Sequence, residues 1–266
     1  MTEIQFATVL PGAAPFNHLN INRTFDGQVV LEDQSVKHAI IKDIGLLEIC
    51  NELVANELAR RAGLPTPNCY LGEVPNDEIP VENGPRITHG GRLVFVSEKV
   101  KVPSVTFQWI GRRAPEIQAL CQKIAKWEKL GSLYAFDAWL ANVDRNQGNL
   151  LFGGDDDVWL IDHGKCFTGE NWSPSSLDAN QDYPSVLELW LTGQLTLEQK
   201  KKSAQEAREF GAALNGFDAT ETSKNSRVEE LLPLEHLNAL KEFLEKRVAV
   251  VAAQASKALG VPTLAV

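Results

Sequence analysis

Residues 136–164 read FDAWLANVDRNQGNLLFGGDDDVWLIDHG and carry three oxygen-bearing side chains at a spacing that suits phosphoryl transfer. Asp144 and Asn149 stand five positions apart in D-R-N-Q-G-N, and Asp162 follows in I-D-H-G. Moving a phosphoryl group requires a carboxylate that orients and deprotonates the attacking hydroxyl, together with oxygen ligands for a metal ion, because positioning and charge stabilise the transition state. Asp144 suits the first task. Asn149 and Asp162 suit the second, since magnesium takes few protein ligands and completes its shell with phosphate oxygens and water.

These residues need a frame. Leu150-Leu151-Phe152 and Val158-Trp159-Leu160-Ile161 are apolar runs around the turn cluster Gly153-Gly154-Asp155-Asp156-Asp157, which predicts a hairpin. Asn149 then precedes the first strand and Asp162 follows the second, so antiparallel pairing brings the two metal-ligand candidates together. A purely structural alternative, in which the polar residues only cap turns, accounts for Asp155 to Asp157 but not for Asp144 and Asp162 in their apolar flanks.

The rest of the chain divides into two patterns. Strands are expected at His18 to Thr24, Gln28 to Leu31 and Val36 to Lys42, with turns at Asp26-Gly27 and Glu32 to Ser35, followed by a helix over Leu46 to Ala62 that Gly63, Pro65 and Pro67 end. Strands near Asn68 to Val74 and Arg92 to Val96 complete this part. From about Pro115 the spacing is helical, over Ala114 to Gln122, Lys123 to Leu140, Pro184 to Leu191, Thr196 to Leu214 and Leu234 to Leu259. Thr168 to Tyr183 and Asp218 to Ser226 read as polar loops. Strands first and helices afterwards predict an α+β architecture: 1–100 as a small mixed sheet-plus-helix part, 101–266 as a mainly helical part, with a junction near Glu98 to Pro103.

Composition narrows the partners. A chain of 266 residues that is 44% hydrophobic can bury a core. Its 26 basic and 35 acidic side chains give a net charge of −9, which argues against nucleic acid or an anionic membrane as the main partner. Cys50, Cys69, Cys121 and Cys166 are far apart with no C-x-x-C, which points to reduced thiols in a cytoplasmic protein. No run of eighteen apolar residues occurs, so no bilayer span is expected.

The run F-D-A-W-L-A-N-V-D-R-N-Q-G-N-L-L with I-D-H-G resembles the HipA-like kinases, relatives of the phosphatidylinositol 3- and 4-kinases, whose loop reads D-R-H-x-x-N and whose metal motif reads D-x-G. The resemblance implies a two-lobed protein-kinase-like fold and an ATP- and Mg2+-dependent kinase, with Asp144, Asn149 and Asp162 as catalytic residues and the last two as metal ligands. It also gives Lys42, at the end of the strand H-A-I-I-K, the place of the lysine that meets the α- and β-phosphates. Helical phase leaves both Glu52 and Glu57 open as its partner. Similarity of N-E-L-V-A-N-E-L-A-R-R-A-G-L-P-T-P to the family helix N-E…L-A…G-L-P-x-P selects Glu52.

Similarity to the family hinge assigns ATP-binding roles to Glu98 and Val100 through their backbone groups. The acceptor expected is a serine or threonine hydroxyl on protein, and a regulatory partner protein fits the same picture. A small-molecule phosphotransferase and a non-catalytic nucleotide-binding regulator are the alternatives. Two departures stand out: no G-x-G-x-x-G precedes Lys42, leaving Arg23, Thr24 or backbone amides for the phosphates, and His163 stands where protein kinases usually carry Phe. Arg145 is expected to brace the loop or neutralise phosphate charge, and Asp137 to satisfy loop amides.

Overall fold

The computed structural model describes residues 3–16, 23–75, 78–88, 90–100, 114–153 and 157–262. Its first part contains β1 (Phe6–Val9), β2 (Ala14–Pro15), β3 (Arg23–Leu31), β4 (Val36–Asp43), α1 (Leu46–Arg61), β5 (Cys69–Val74) and β6 (Arg92–Glu98). The sheet order is β1-β5-β6-β4-β3-β2, and β1 also pairs with β3. That extra pairing bends the sheet into a small barrel. The β1–β5 pair is parallel and the other ladders are antiparallel, so the sheet is mixed.

Alternation along the strands sorts side chains between the two faces. Phe25, Val29, Ala39, Ile41, Val94 and Val96 fill the barrel, plugged by Ile79 and Val81 from the β5–β6 connection. Lys42, one residue beyond Ile41, lies on the opposite face, where Leu71 and Phe95 pack with Leu53, Val54 and Leu58 of α1. Buried residues lie all round α1, from Ile49 to Ala59, which is the signature of a helix enclosed by structure on every side. Its chain leaves through Gly63 at φ +68°, a conformation costly for a residue with a Cβ.

Several sequence expectations need correction. Asp26-Gly27 is not a turn: both residues lie inside β3, opposite Ile40 and Ala39. The glycine is required for a different reason, because a Cβ there would come within 2.6 Å of the Ala13 Cβ beside β2. The expected strand from His18 lies outside the described residues up to position 22, while β1 and β2 were not expected at all. Of the expected junction, positions 101–103 also lie outside them.

The remainder is mainly helical: α2 (Ala114–Ile124), α3 (Leu130–Trp139), the hairpin β7 (Leu150–Phe152) and β8 (Val158–Leu160), α4 (Val186–Leu191), α5 (Leu197–Ala213), α6 (Ala219–Asn225), α7 (Leu234–Arg247) and α8 (Val251–Ala258). The helix expected over Lys123 to Leu140 breaks, because tight turns at Lys126, Trp127 and Leu130 redirect the chain and the Gln199 side chain takes the Ala125 carbonyl. Asp218 to Ser226 is not a loop. Asp218 caps α6 by accepting from Thr220 N at 2.7 Å, and Arg61 of α1 holds Thr222 and Glu221. The helix expected over Leu234 to Leu259 is interrupted at Val248–Val250, next to a buried Arg247 that donates to the carbonyls of Trp139, Ala179 and Gln181. Among the described residues no helix is long and apolar enough to cross a membrane.

Candidate active site

The site forms where α1 and the end of β4 meet the β7–β8 hairpin. Lys42 Nζ lies 2.6 Å from Glu52 Oε1 and 2.9 Å from Asp162 Oδ1, so one ammonium joins a strand, a helix and the I-D-H-G segment. Glu52 is almost fully enclosed, and its other oxygen accepts from His163 N at 2.9 Å. Glu57 is not at this site: it faces Asn225 of α6, 3.4 Å away. Asp162 adopts φ +60°, a left-handed conformation uncommon for a residue with a side chain, and leaves its carboxylate half exposed beside Lys42.

Electrostatics follow from these contacts. Burial would lower the Lys42 pKa, but Asp162 and Glu52 together outweigh it and hold the ammonium above its ordinary value. The same ammonium pulls the Asp162 carboxyl below its usual range against the effect of burial. Burial pushes Glu52 upward, opposed by Lys42. Lys42 is therefore the cation on which both acids depend.

The second half is braced by Arg145. This guanidinium is fully buried and donates to both Asp137 oxygens, to the carbonyls of Asn149 and Ile161, and to His163 Nδ1. It ties the two ends of the hairpin, which Ile161 N to Asn149 O also links at 3.1 Å. Asp137 thus holds side chains rather than the loop amides expected of it, taking Asn142 Nδ2 at 2.9 Å as well as Arg145. Asn142 Oδ1 in turn accepts from Asp144 N at 3.1 Å. Trp190 of α4 donates to the Arg145 carbonyl.

The Asn149 side-chain nitrogen donates to the Asp144 carbonyl, which directs its amide oxygen to the other side. Asn149 and Asp162 therefore offer one amide and one carboxylate oxygen at the joined ends of the hairpin. Among the described residues no group of three or more His, Cys, Asp or Glu could hold a metal by itself. A hard cation here would need phosphate oxygens and water as further ligands, and this donor set fits magnesium. His163 is held neutral, since burial and the nearby charges of Arg145 and Lys42 keep its pKa well below the usual value, while its ring meets Phe136 edge-on.

Asp144 is part-exposed, with Lys165 Nζ 3.4 Å from its Oδ2. Lys165 escaped the sequence reading, although its place three positions after Asp162 in D-H-G-K was a signal. Asn51 escaped too: its amide nitrogen donates to the carbonyls of Gly164, Cys166 and Gly169, and its oxygen accepts from Trp172 Nε1. One residue of α1 thus fastens the segment that follows Asp162. Glu98 is three residues beyond Phe95, the β6 partner of Lys42, hence about 10 Å along the strand. The Glu98 carboxylate is taken by Asn68 and Tyr70, and its amide donates to Asn68 O. Val100 follows β6 and is half-buried.

A family model described as HipA-like kinase matches residues 31–179, more than half of the chain. The chain belongs to the HipA-like kinase family. Membership supports a kinase-type phosphotransferase, and the match spans both halves of the site. The crystal structure of a Helicobacter pylori proinflammatory kinase, CtkA, is similar in fold at a TM-score of 0.50 and 12% identity, covering 87% of this chain and 94% of that one. No curated protein matches the sequence.

Proposed function

We propose that this HipA-like kinase transfers the γ-phosphoryl group of ATP to a serine or threonine hydroxyl on protein, with magnesium. The observation that carries this reading is the ion-paired Glu52–Lys42–Asp162 set beside Asp144 and Asn149. In this reading Lys42 binds the α- and β-phosphates and Glu52 fixes its direction. Asn149 and Asp162 would hold the metal ion, which when bound would supply positive charge to the phosphate oxygens. Asp144 orients the acceptor hydroxyl and takes its proton while the acceptor oxygen bonds to phosphorus and the bond to the leaving ADP breaks. The Glu98 carbonyl and the Val100 amide receive the adenine edge, a role consistent with a Glu98 side chain engaged elsewhere.

The layout follows from the same reading: residues 1–100 act as the nucleotide-binding lobe and 101–266 as the lobe carrying the catalytic loop and acceptor side. A protein acceptor is supported by the net charge of −9, which disfavours approach to anionic lipid. It is also supported by the exposed hydroxyls of Ser173, Ser175 and Ser176 after the metal motif. The four cysteines are buried free thiols, in keeping with a cytoplasmic protein. Incubation with γ-labelled ATP, followed by separation of protein, lipid and small-molecule fractions, tests the acceptor. Label on protein serine or threonine is expected. Label confined to lipid or to a small metabolite would refute it.

A further inference from the structure

We propose that Lys165 is a catalytic cation of this site, whose ammonium binds the transferring phosphoryl group next to Asp144. The inference rests on the phosphotransfer reading above. A phosphoryl group in flight spreads charge over its equatorial oxygens and needs cations or amide donors around it. Here no glycine-rich sequence precedes Lys42, so one common source of donors is missing. Lys42 is engaged by Glu52 and Asp162. Between Asp144 and Asn149 the single cationic residue is Arg145, whose guanidinium is buried and committed to Asp137, two carbonyls and His163.

Lys165 meets the need. Its Nζ is 3.4 Å from Asp144 Oδ2, and about a third of its side chain is exposed, at 35%. The backbone beneath it is firmly held. Lys165 O accepts from Val143 N, Phe167 N donates to Leu140 O at 2.7 Å, and Thr168 N donates to Ala141 O at 3.2 Å. Asn51 grips the carbonyls on either side, at 2.7 Å to Gly164 and 3.1 Å to Cys166. A fixed Cα with a part-exposed side chain suits a group that must meet a ligand beside Asp144. A partly exposed ion pair of this kind adds little to stability, so its value to the fold does not explain its position.

As the acceptor oxygen bonds to phosphorus and the bond to the ADP oxygen breaks, the hydroxyl proton passes to Asp144. Asp144 thereby becomes neutral, while Lys165 stays protonated throughout and meets the phosphoryl oxygens from its place beside Asp144, a contact that does not wait on the proton transfer.

Calorimetry of ADP with magnesium, with and without fluoroaluminate as a mimic of the phosphoryl group in flight, tests this without an acceptor. Wild type is expected to bind ADP more tightly with fluoroaluminate. Lys165→Met should keep the affinity for ADP alone within about threefold, lose most of the fluoroaluminate gain, and lower kcat about 10²-fold with little change in KM for ATP. Lys165→Arg should recover part of both. A Lys165→Met protein that retains the gain and turns over normally would overturn the assignment, as would one that loses ADP affinity and thermal stability together, the mark of a structural brace. A wild type that binds no ADP would instead remove the nucleotide reading on which the inference stands.

Discussion

Glu52→Gln replaces one oxygen by nitrogen at the most enclosed point of the site and leaves its shape unchanged, so its consequences can be worked out closely. Removing one partner of a buried ion pair costs about 3–5 kcal/mol when the other charge is left uncompensated. Lys42 would not be so left: Asp162 remains 2.9 Å away and 16% of the lysine side chain reaches solvent. A loss of roughly 1–2 kcal/mol is therefore expected for Glu52→Gln, well under that upper figure. Lys42→Met should cost more, because it strands a carboxylate that burial already pushes upward. The double variant Lys42→Met/Glu52→Gln should then be more stable than Lys42→Met alone, by about 1 kcal/mol or more, since a neutral amide replaces the stranded acid. Turnover should behave differently. Each single change should lower kcat/KM by about 10²-fold or more, with the double variant no worse than either, because the two residues act as one unit. Urea unfolding and steady-state kinetics on the four proteins read both effects. Additive losses of turnover, or a harmless Glu52→Gln, would refute the reasoning.

Asp162→Asn should abolish most of the gain in ATP affinity that magnesium confers, because an anionic ligand is lost, and titration with magnesium or chelator measures it; an unchanged gain would remove Asp162 from the metal site. Glu57→Gln should leave turnover intact. Burial raises the Glu57 pKa in the folded state, whereas the unfolded chain titrates near about 4.3, so its contribution is complete below that pH and declines as pH rises through the folded value. The substitution should accordingly raise the unfolding midpoint at pH 7 but not at pH 4, and equal effects at both would contradict the sign. Asn51→Leu should destabilise by about 2–3 kcal/mol, as three carbonyls and the Trp172 indole lose their partner, and should speed hydrogen exchange over residues 164–172; unaltered exchange would show that the fastening is unimportant.

The legible parts of this molecule are those in which function constrains local sequence. The hairpin was visible because apolar runs flank a turn cluster, and its pairing puts Asn149 and Ile161 within one hydrogen bond of each other. Glu52 and Glu57 could not be separated by helical phase because α1 is buried all round, so no apolar stripe distinguishes one face. The barrel closure depended on β1 pairing with both β3 and β5, a long-range match that four residues do not advertise. Gly27 was misread for a related reason: glycine marks turns and close backbone approaches alike, and here Ala13 is the neighbour that requires it. Asn51 and Lys165 act through contacts that join α1, the loop carrying Asp144 and the segment after Asp162. Such contacts become apparent once the three are folded together.

Asp144→Asn separates chemistry from nucleotide binding, because Asp144 is assigned the proton transfer while other residues hold the nucleotide. ATP affinity by calorimetry and single-turnover phosphoryl transfer should be measured on the same preparation. The variant should bind ATP with magnesium within about threefold of wild type and transfer phosphate at least about 10²-fold more slowly, the scale of a lost positioned base. Phosphoryl transfer at the wild-type rate would contradict the assignment, whatever the nucleotide affinity.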